Sequence, residues 1–227
     1  MGEGGGLHSG DDYVSLADGN PAPLSLTRSP RLDNALRLGW PTFARTLAAA
    51  GPADAALWLA ARLGDPDVAE VAAPLLEAAI SGDAEEKAEA LFALAELAEE
   101  TEDDLLADTL WEGVLDLGQR LADGDLVAEA TRKLAALAER LGDPLAAAEF
   151  FMGFLNWRRQ PDHSSDAEDV ETAFDEIIRL AQLDGAQRAA AEYGYRQAQF
   201  TRLLEADDPR AVEGDWERDP TPYAAWE

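Results

Sequence analysis

The chain has 227 residues, 47% of them hydrophobic, which is enough to bury a core, and it lacks cysteine, so disulfides and thiol catalysis are excluded. Acids outnumber bases 46 to 18, a formal net charge of −28, and this balance argues against direct nucleic-acid binding, because a phosphate backbone is held by clustered Lys and Arg. With no run of about 18 apolar residues and no charged-then-apolar leader, no membrane association is predicted, and a cytoplasmic location is expected.

Residues 1–30 hold a glycine run, Asp18-Gly19-Asn20 and the prolines Pro21, Pro23 and Pro30, with no helical period. They read as a flexible arm, with Leu24 and Leu26 placed to pin its end. Folding is expected to begin near Leu32, where Leu32, Leu36, Leu38, Trp40 and Phe43 supply an apolar cap. Pro41 and Gly51-Pro52 divide this region into short helices over 31–39, 42–50 and 53–63. The last carries Leu57, Trp58, Ala61 and Leu63 and ends at Gly64. Asp65-Pro66 opens a helix over 66–80, in which Pro74 predicts a kink or break near Val71. Asp83, with Glu86 three residues on, is a capping pair for a helix over 84–100.

From there the pattern becomes regular. Leu134, Leu137, Ala138 and Leu141 recur at three- and four-residue steps and form one helical stripe. Gly142 suits the left-handed residue that ends a helix, Asp143 suits a cap, and Pro144 suits a first turn. The helix that follows offers Ala147, Phe150, Phe151, Phe154 and Leu155 to the first, so Leu134, Leu137, Phe150, Phe151 and Phe154 are expected to be largely buried. The pattern repeats at a spacing of forty. Leu94, Leu134 and Phe174 fall in register, as do Leu97, Leu137 and Ile177, Ala98, Ala138 and Ile178, and Leu115, Leu155 and Tyr195. Ala107 matches Ala147, and Trp111 matches Phe151. Hairpins with such a stripe cannot bury it alone and must stack. The spacing predicts first helices over 84–100, 125–141 and 167–183 and second helices over 104–121, 144–159 and 186–205.

The residues 128–151, AEATRKLAALAERLGDPLAAAEFF, resemble a tetratricopeptide repeat. Leu134 and Ala135 stand at the Leu-Gly positions of its first helix, Gly142-Asp143 at its turn, and Ala147 and Phe151 at its small and aromatic positions. Residues 88–111 match through Leu94, Ala95, Ala107 and Trp111. The third copy departs, with Asp175 at the small position and Ala191 where an aromatic is usual, and a spacing of forty is nearer to HEAT-type hairpins. The resemblance implies an all-α fold, a right-handed stack of antiparallel helical hairpins of the TPR/HEAT-like α-solenoid type. It would occupy 31–206, between the arm at 1–30 and an acidic tail at 207–227 that carries Trp216, Tyr223 and Trp226. Those aromatics would either fold back as a C-terminal cap or serve as a docking motif. The polar stretch 158–169 reads as a protruding loop.

Catalytic and metal chemistry finds no support. The two histidines, His8 and His163, lie in the arm and the polar loop, and no metal-binding or phosphate-cradling motif occurs. With 46 carboxylates, a pair of acids carries no information about acid–base catalysis. No enzyme activity, cofactor or metal is therefore expected. Recognition remains. The resemblance implies that four positions of each first helix line a groove: Glu89, Phe92, Glu96 and Glu99, then Glu129, Arg132, Ala136 and Glu139, then Asp169, Thr172, Glu176 and Arg179. Seven of these twelve are acidic, and between Thr46 and Gln119 only Arg62 and Lys87 oppose 18 acids. Such a face should attract a basic protein segment, with Phe92 giving apolar contact. The alternatives are an adaptor or scaffold, an acidic inhibitor or immunity-type protein that blocks a nucleic-acid-binding protein or toxin, and a face whose carboxylates merely solvate the surface.

Overall fold

The computed structural model describes residues 29–160 and 162–213. The arm before Ser29 and the tail aromatics Trp216, Tyr223 and Trp226 lie outside the described residues. Among the described residues the chain is all-helical, with no strand, and its helices are α1 (Pro30–Leu36), α2 (Trp40–Ala50), α3 (Pro52–Leu63), α4 (Val68–Ser81), α5 (Ala84–Glu100), α6 (Asp104–Leu121), α7 (Gly124–Arg140), α8 (Pro144–Arg158), α9 (Ala167–Leu183), α10 (Gln187–Glu205) and α11 (Pro209–Glu213). From α1 to α11 each helix packs against the next. Among the described residues no helix is long and apolar enough to cross a membrane.

Local chemistry explains the boundaries. Asp83 and Glu86 form a complete capping box at the start of α5. Asp103, Asp123 and Asp143 cap α6, α7 and α8 by accepting from the backbone N–H groups of Leu106, Leu126 and Ala146. The helix expected from 66 starts at Val68 instead, because the Asp65 carboxylate accepts from the Asp67 N–H and holds a turn there. Pro74 does not break it: α4 runs on to Ser81, with Glu70 and Pro74 on its exposed side, where water can reach the carbonyl that lacks a donor.

Three features differ from the sequence reading. Leu38 and Leu141, expected in apolar stripes, are exposed: Leu38 follows the end of α1 and Leu141 caps α7, so neither faces the core. The loop after α8 does not protrude. His163 stacks on Trp157 with centroids 4.4 Å apart, Arg158 donates to the His163 carbonyl, and the Ser164 carbonyl lies where a Cβ on Gly124 would stand. The helical body also continues past Asp207, since α11 packs on α10 and buries Ala211.

A further difference is one of register. Glu102, Gly142 and Gly185 hold the same left-handed turn position, and the carbonyls of Ala98, Ala138 and Ala181 accept from the N–H groups of Asp103, Asp143 and Ala186. The offset is therefore 40 residues and then 43, the loop after α8 having added three. Leu94 and Leu134 correspond to Ile177, not Phe174, and Ala98 and Ala138 to Ala181, all buried. In α10 the same offset carries Ala147 and Phe151 to Ala190 and Gly194, the buried ring being Tyr193 one position earlier, while Ala191 and Tyr195 face outward.

The core has two large lobes, joined where the half-buried Leu115 and Phe150 touch both, and a small third cluster of Ala181, Ala189 and Ala190 between α9 and α10. Leu134, Leu137, Phe151 and Phe154 are buried as expected, whereas Phe150 is only partly so. At the N-terminal end α1 and α2 fold back onto α6. Trp40 lies against Gly113, where a Cβ would meet its ring at 2.8 Å, and donates from its backbone N–H to Glu112 and from its indole to Asp116. Arg62 joins α1, α3 and α6 through Asp33 and Asp103.

Asp108 lies on the same stretch of α6, and burial, helped by the charge of Glu112, raises its pKa above the ordinary 3.8. The folded state thus holds this proton more tightly than the unfolded chain. The resulting stabilisation is complete below the unfolded pKa and is lost as pH rises through the folded one. Asp108→Asn is expected to raise the melting temperature at pH 7 modestly, with an advantage over wild type that shrinks as pH falls toward 3.8. An equal effect at both pH values would show that the Asp108 charge is not the cause.

Candidate functional site

The first-helix face is built by α5, α7 and α9, and its carboxylates fall into two groups. Toward α9 they are paired. Arg132 bridges Glu129 on its own helix and Asp169 on α9, each at 2.7 Å. Arg179 bridges Glu176 on its own helix and Glu139 on α7, each at 2.5 Å. Lys133 reaches Glu99 on α5 at 2.6 Å and lies 5.4 Å above the ring of Trp111. Burial works to lower the pKa of Arg132, but its bonds to Glu129 and Asp169 outweigh it and the net shift is upward. Hydrogen bonds that Arg179 donates to Glu139 and Glu176 hold its pKa further above the ordinary range. These pairs clamp one hairpin to the next.

Toward α5 the arrangement changes. Glu89 and Glu96 are exposed, and no Lys, Arg or His lies within ion-pair distance of either among the described residues. Phe92 is half-buried, because its ring meets Trp111 edge-on at 4.9 Å. Its apolar surface is thus largely spent inside the protein. Ala136 is exposed and Thr172 half-buried. The structure therefore brings Glu129, Arg132 and Asp169 together and Glu139, Glu176 and Arg179 together, and leaves Glu89 and Glu96 as unneutralised charges. With the offset of 43, the α9 positions equivalent to the α5 and α7 groove positions are Thr172, Asp175, Arg179 and Gln182.

Sequence reasoning missed the neighbouring surface. Between α4 and α5 runs an open groove of about 490 Å³, lined by Pro74, Leu75, Ala78 and Ala90 with Glu77 and Glu89 at its edges. Ser81 and Gly82 close one end, and the Glu86 carboxylate there is engaged by the backbone N–H of Asp83. Lys87 is the only basic residue in 65–100. The sparseness of bases in this stretch was visible in the sequence, but the pairing of two helices around Pro74 was not.

Among the described residues no group of three or more His, Cys, Asp or Glu side chains could hold a metal ion. His163 is engaged by the Trp157 carbonyl and ring. No protein-family model matches the chain, and no curated protein or solved structure matches it either.

Proposed function

We propose that this chain is a tetratricopeptide-like, right-handed solenoid that works without catalysis, as an adaptor binding a basic protein segment through its first-helix face. The observation that supports this reading is the uneven use of charge. Most carboxylates of the face are matched by Arg132, Lys133 and Arg179, yet Glu89 and Glu96 project into solvent with no cation beside them among the described residues. Carboxylates whose only task was to hold hairpins together would be paired like the others. A cationic segment meeting two or more free carboxylates gains from each, roughly 0.2–1 kcal/mol per exposed pair, and is steered toward them from a distance.

The test uses cationic peptides of about fifteen residues and graded charge, titrated by fluorescence anisotropy. Binding should strengthen with peptide charge and weaken as ionic strength rises from about 0.05 M to 0.5 M. The double variant Glu89→Lys with Glu96→Lys should bind about tenfold more weakly at low salt, with helicity and melting temperature unchanged. Glu99 must be left intact, because its replacement would break the bridge to Lys133. Equal affinity for the variant and wild type, or no binding by any cationic peptide, would remove this reading.

A further inference from the structure

We infer that the seat of the basic segment is the α4–α5 groove, and that the segment presents one apolar side chain flanked by arginine or lysine; this rests on the proposed function. The walls decide the chemistry. Pro74, Leu75, Ala78 and Ala90 offer only carbon surface, and Glu77 and Glu89 offer only acceptors. Neither carboxylate has a cation within ion-pair distance among the described residues. A third acceptor lies one turn above the groove on the same side of α4. Pro74 has no N–H, so the Glu70 carbonyl lacks its helical donor, and Glu70 is itself exposed, with no ion-pair partner among the described residues. Apart from the Ser81 hydroxyl, the described residues that line the groove offer no side-chain donor and no positive charge, so an acidic or acceptor-rich ligand finds no match in it.

The shape sets the size of the occupant. The groove runs from Pro74 to the turn at Ser81-Gly82, about 10 Å along α4 at 1.5 Å per residue. That length seats a single large apolar side chain on Leu75, Ala78 and Ala90, with a guanidinium or ammonium reaching Glu77 on one side and Glu89 on the other. Glu89 also belongs to the first-helix face, so the groove is where that face extends onto the neighbouring hairpin. An arginine is better suited than a lysine, because its planar fork can serve a carboxylate and a carbonyl at once.

Two peptides separate the groove from the general reading: Arg-Arg-Leu-Arg-Arg and its counterpart with Ser in place of Leu, each titrated against the full chain. The leucine peptide is expected to bind about tenfold more tightly, since only it can bury carbon surface in the groove. Glu77→Lys, on α4 and outside the first-helix face, should weaken the leucine peptide by several-fold. Ala78→Phe should fill the groove and bring the two peptides to equal affinity. Circular dichroism melts confirm that these surface variants fold. If both peptides bind wild type equally, and Glu77→Lys leaves them unaffected while Glu96→Lys weakens them, the groove is refuted and the acidic face stands. If neither peptide binds wild type, both fall together.

Discussion

Phe151→Ala is expected to cost about 3–5 kcal/mol of folding stability, the range for removing a large ring from a packed core. Phe151 is 5% exposed and lies in the second core lobe with Phe154, Val170, Ala173 and Phe174. It has little room to relax into. The void beside it is only about 10 Å³, and its walls include Ala128, Thr131, Phe154 and Ala173. Those walls also include Arg132 and Asp169, so the ring supports from below the ion pair that joins α7 to α9. Its loss should therefore reach the surface, and α9 and α10 should exchange amide hydrogens faster than α3 and α4. Phe151→Leu keeps most of the volume and should cost less than half as much. Phe150→Ala is the internal control. That ring is only partly buried, and its removal should cost clearly less than that of Phe151. Equal losses for the two rings in chemical denaturation would contradict this placement.

The helices were legible in the sequence because their signals are local. Asp83, Asp103, Asp123 and Asp143 each accept from the backbone three residues on, and a reader needs only the spacing to expect it. Register across the third hairpin was harder. The stripe Leu134-Leu137-Ala138 can be laid on Phe174-Ile177-Ile178 or on Ile177-Leu180-Ala181, and hydrophobicity alone does not choose. The turn glycine does, since Gly142 and Gly185 are 43 residues apart and share the left-handed conformation. The return of α1 and α2 onto α6 was not legible at all. It depends on Trp40 meeting a glycine 73 positions away, and nothing near either residue announces the other.

At the candidate site the limit was of another kind. The sequence shows that Glu89, Glu129, Glu139, Asp169 and Glu176 are acidic, but not which of them have spent their charge. That is decided between helices, where Arg132 reaches Asp169 and Arg179 reaches Glu139 across hairpins. Seven acids in a row of twelve therefore overstate the free charge of the face. All four in α7 and α9 lie within 2.7 Å of an arginine shared with another acid. Of the seven acids of the face, Glu89 and Glu96 on α5 are the two with no cation within ion-pair distance among the described residues.

Arg158→Met is expected to raise stability by about 1–3 kcal/mol, which is unusual for a buried position. Arg158 is 4% exposed at the end of α8, yet no carboxylate lies within ion-pair distance among the described residues. Its bond to the His163 carbonyl is 2.9 Å long, and its Nε finds no acceptor. Burial accordingly pushes its pKa down. Two effects compete on replacement. Losing one hydrogen bond from a charged donor costs about 1.5–3 kcal/mol, while releasing a buried ion from its desolvation recovers several kcal/mol. Methionine is close in length, unbranched and apolar, so it fills the space left among Trp157 and the loop without leaving a void. The second effect wins. The loop, however, loses its anchor, so the variant should melt at a higher temperature while residues 159–166 become more open to proteolysis and exchange faster. Arg158→Ala separates the causes, since it removes the charge but opens a cavity and should gain less or lose. A methionine variant that melts below wild type would mean that the bond to His163 outweighs the cost of burying the charge.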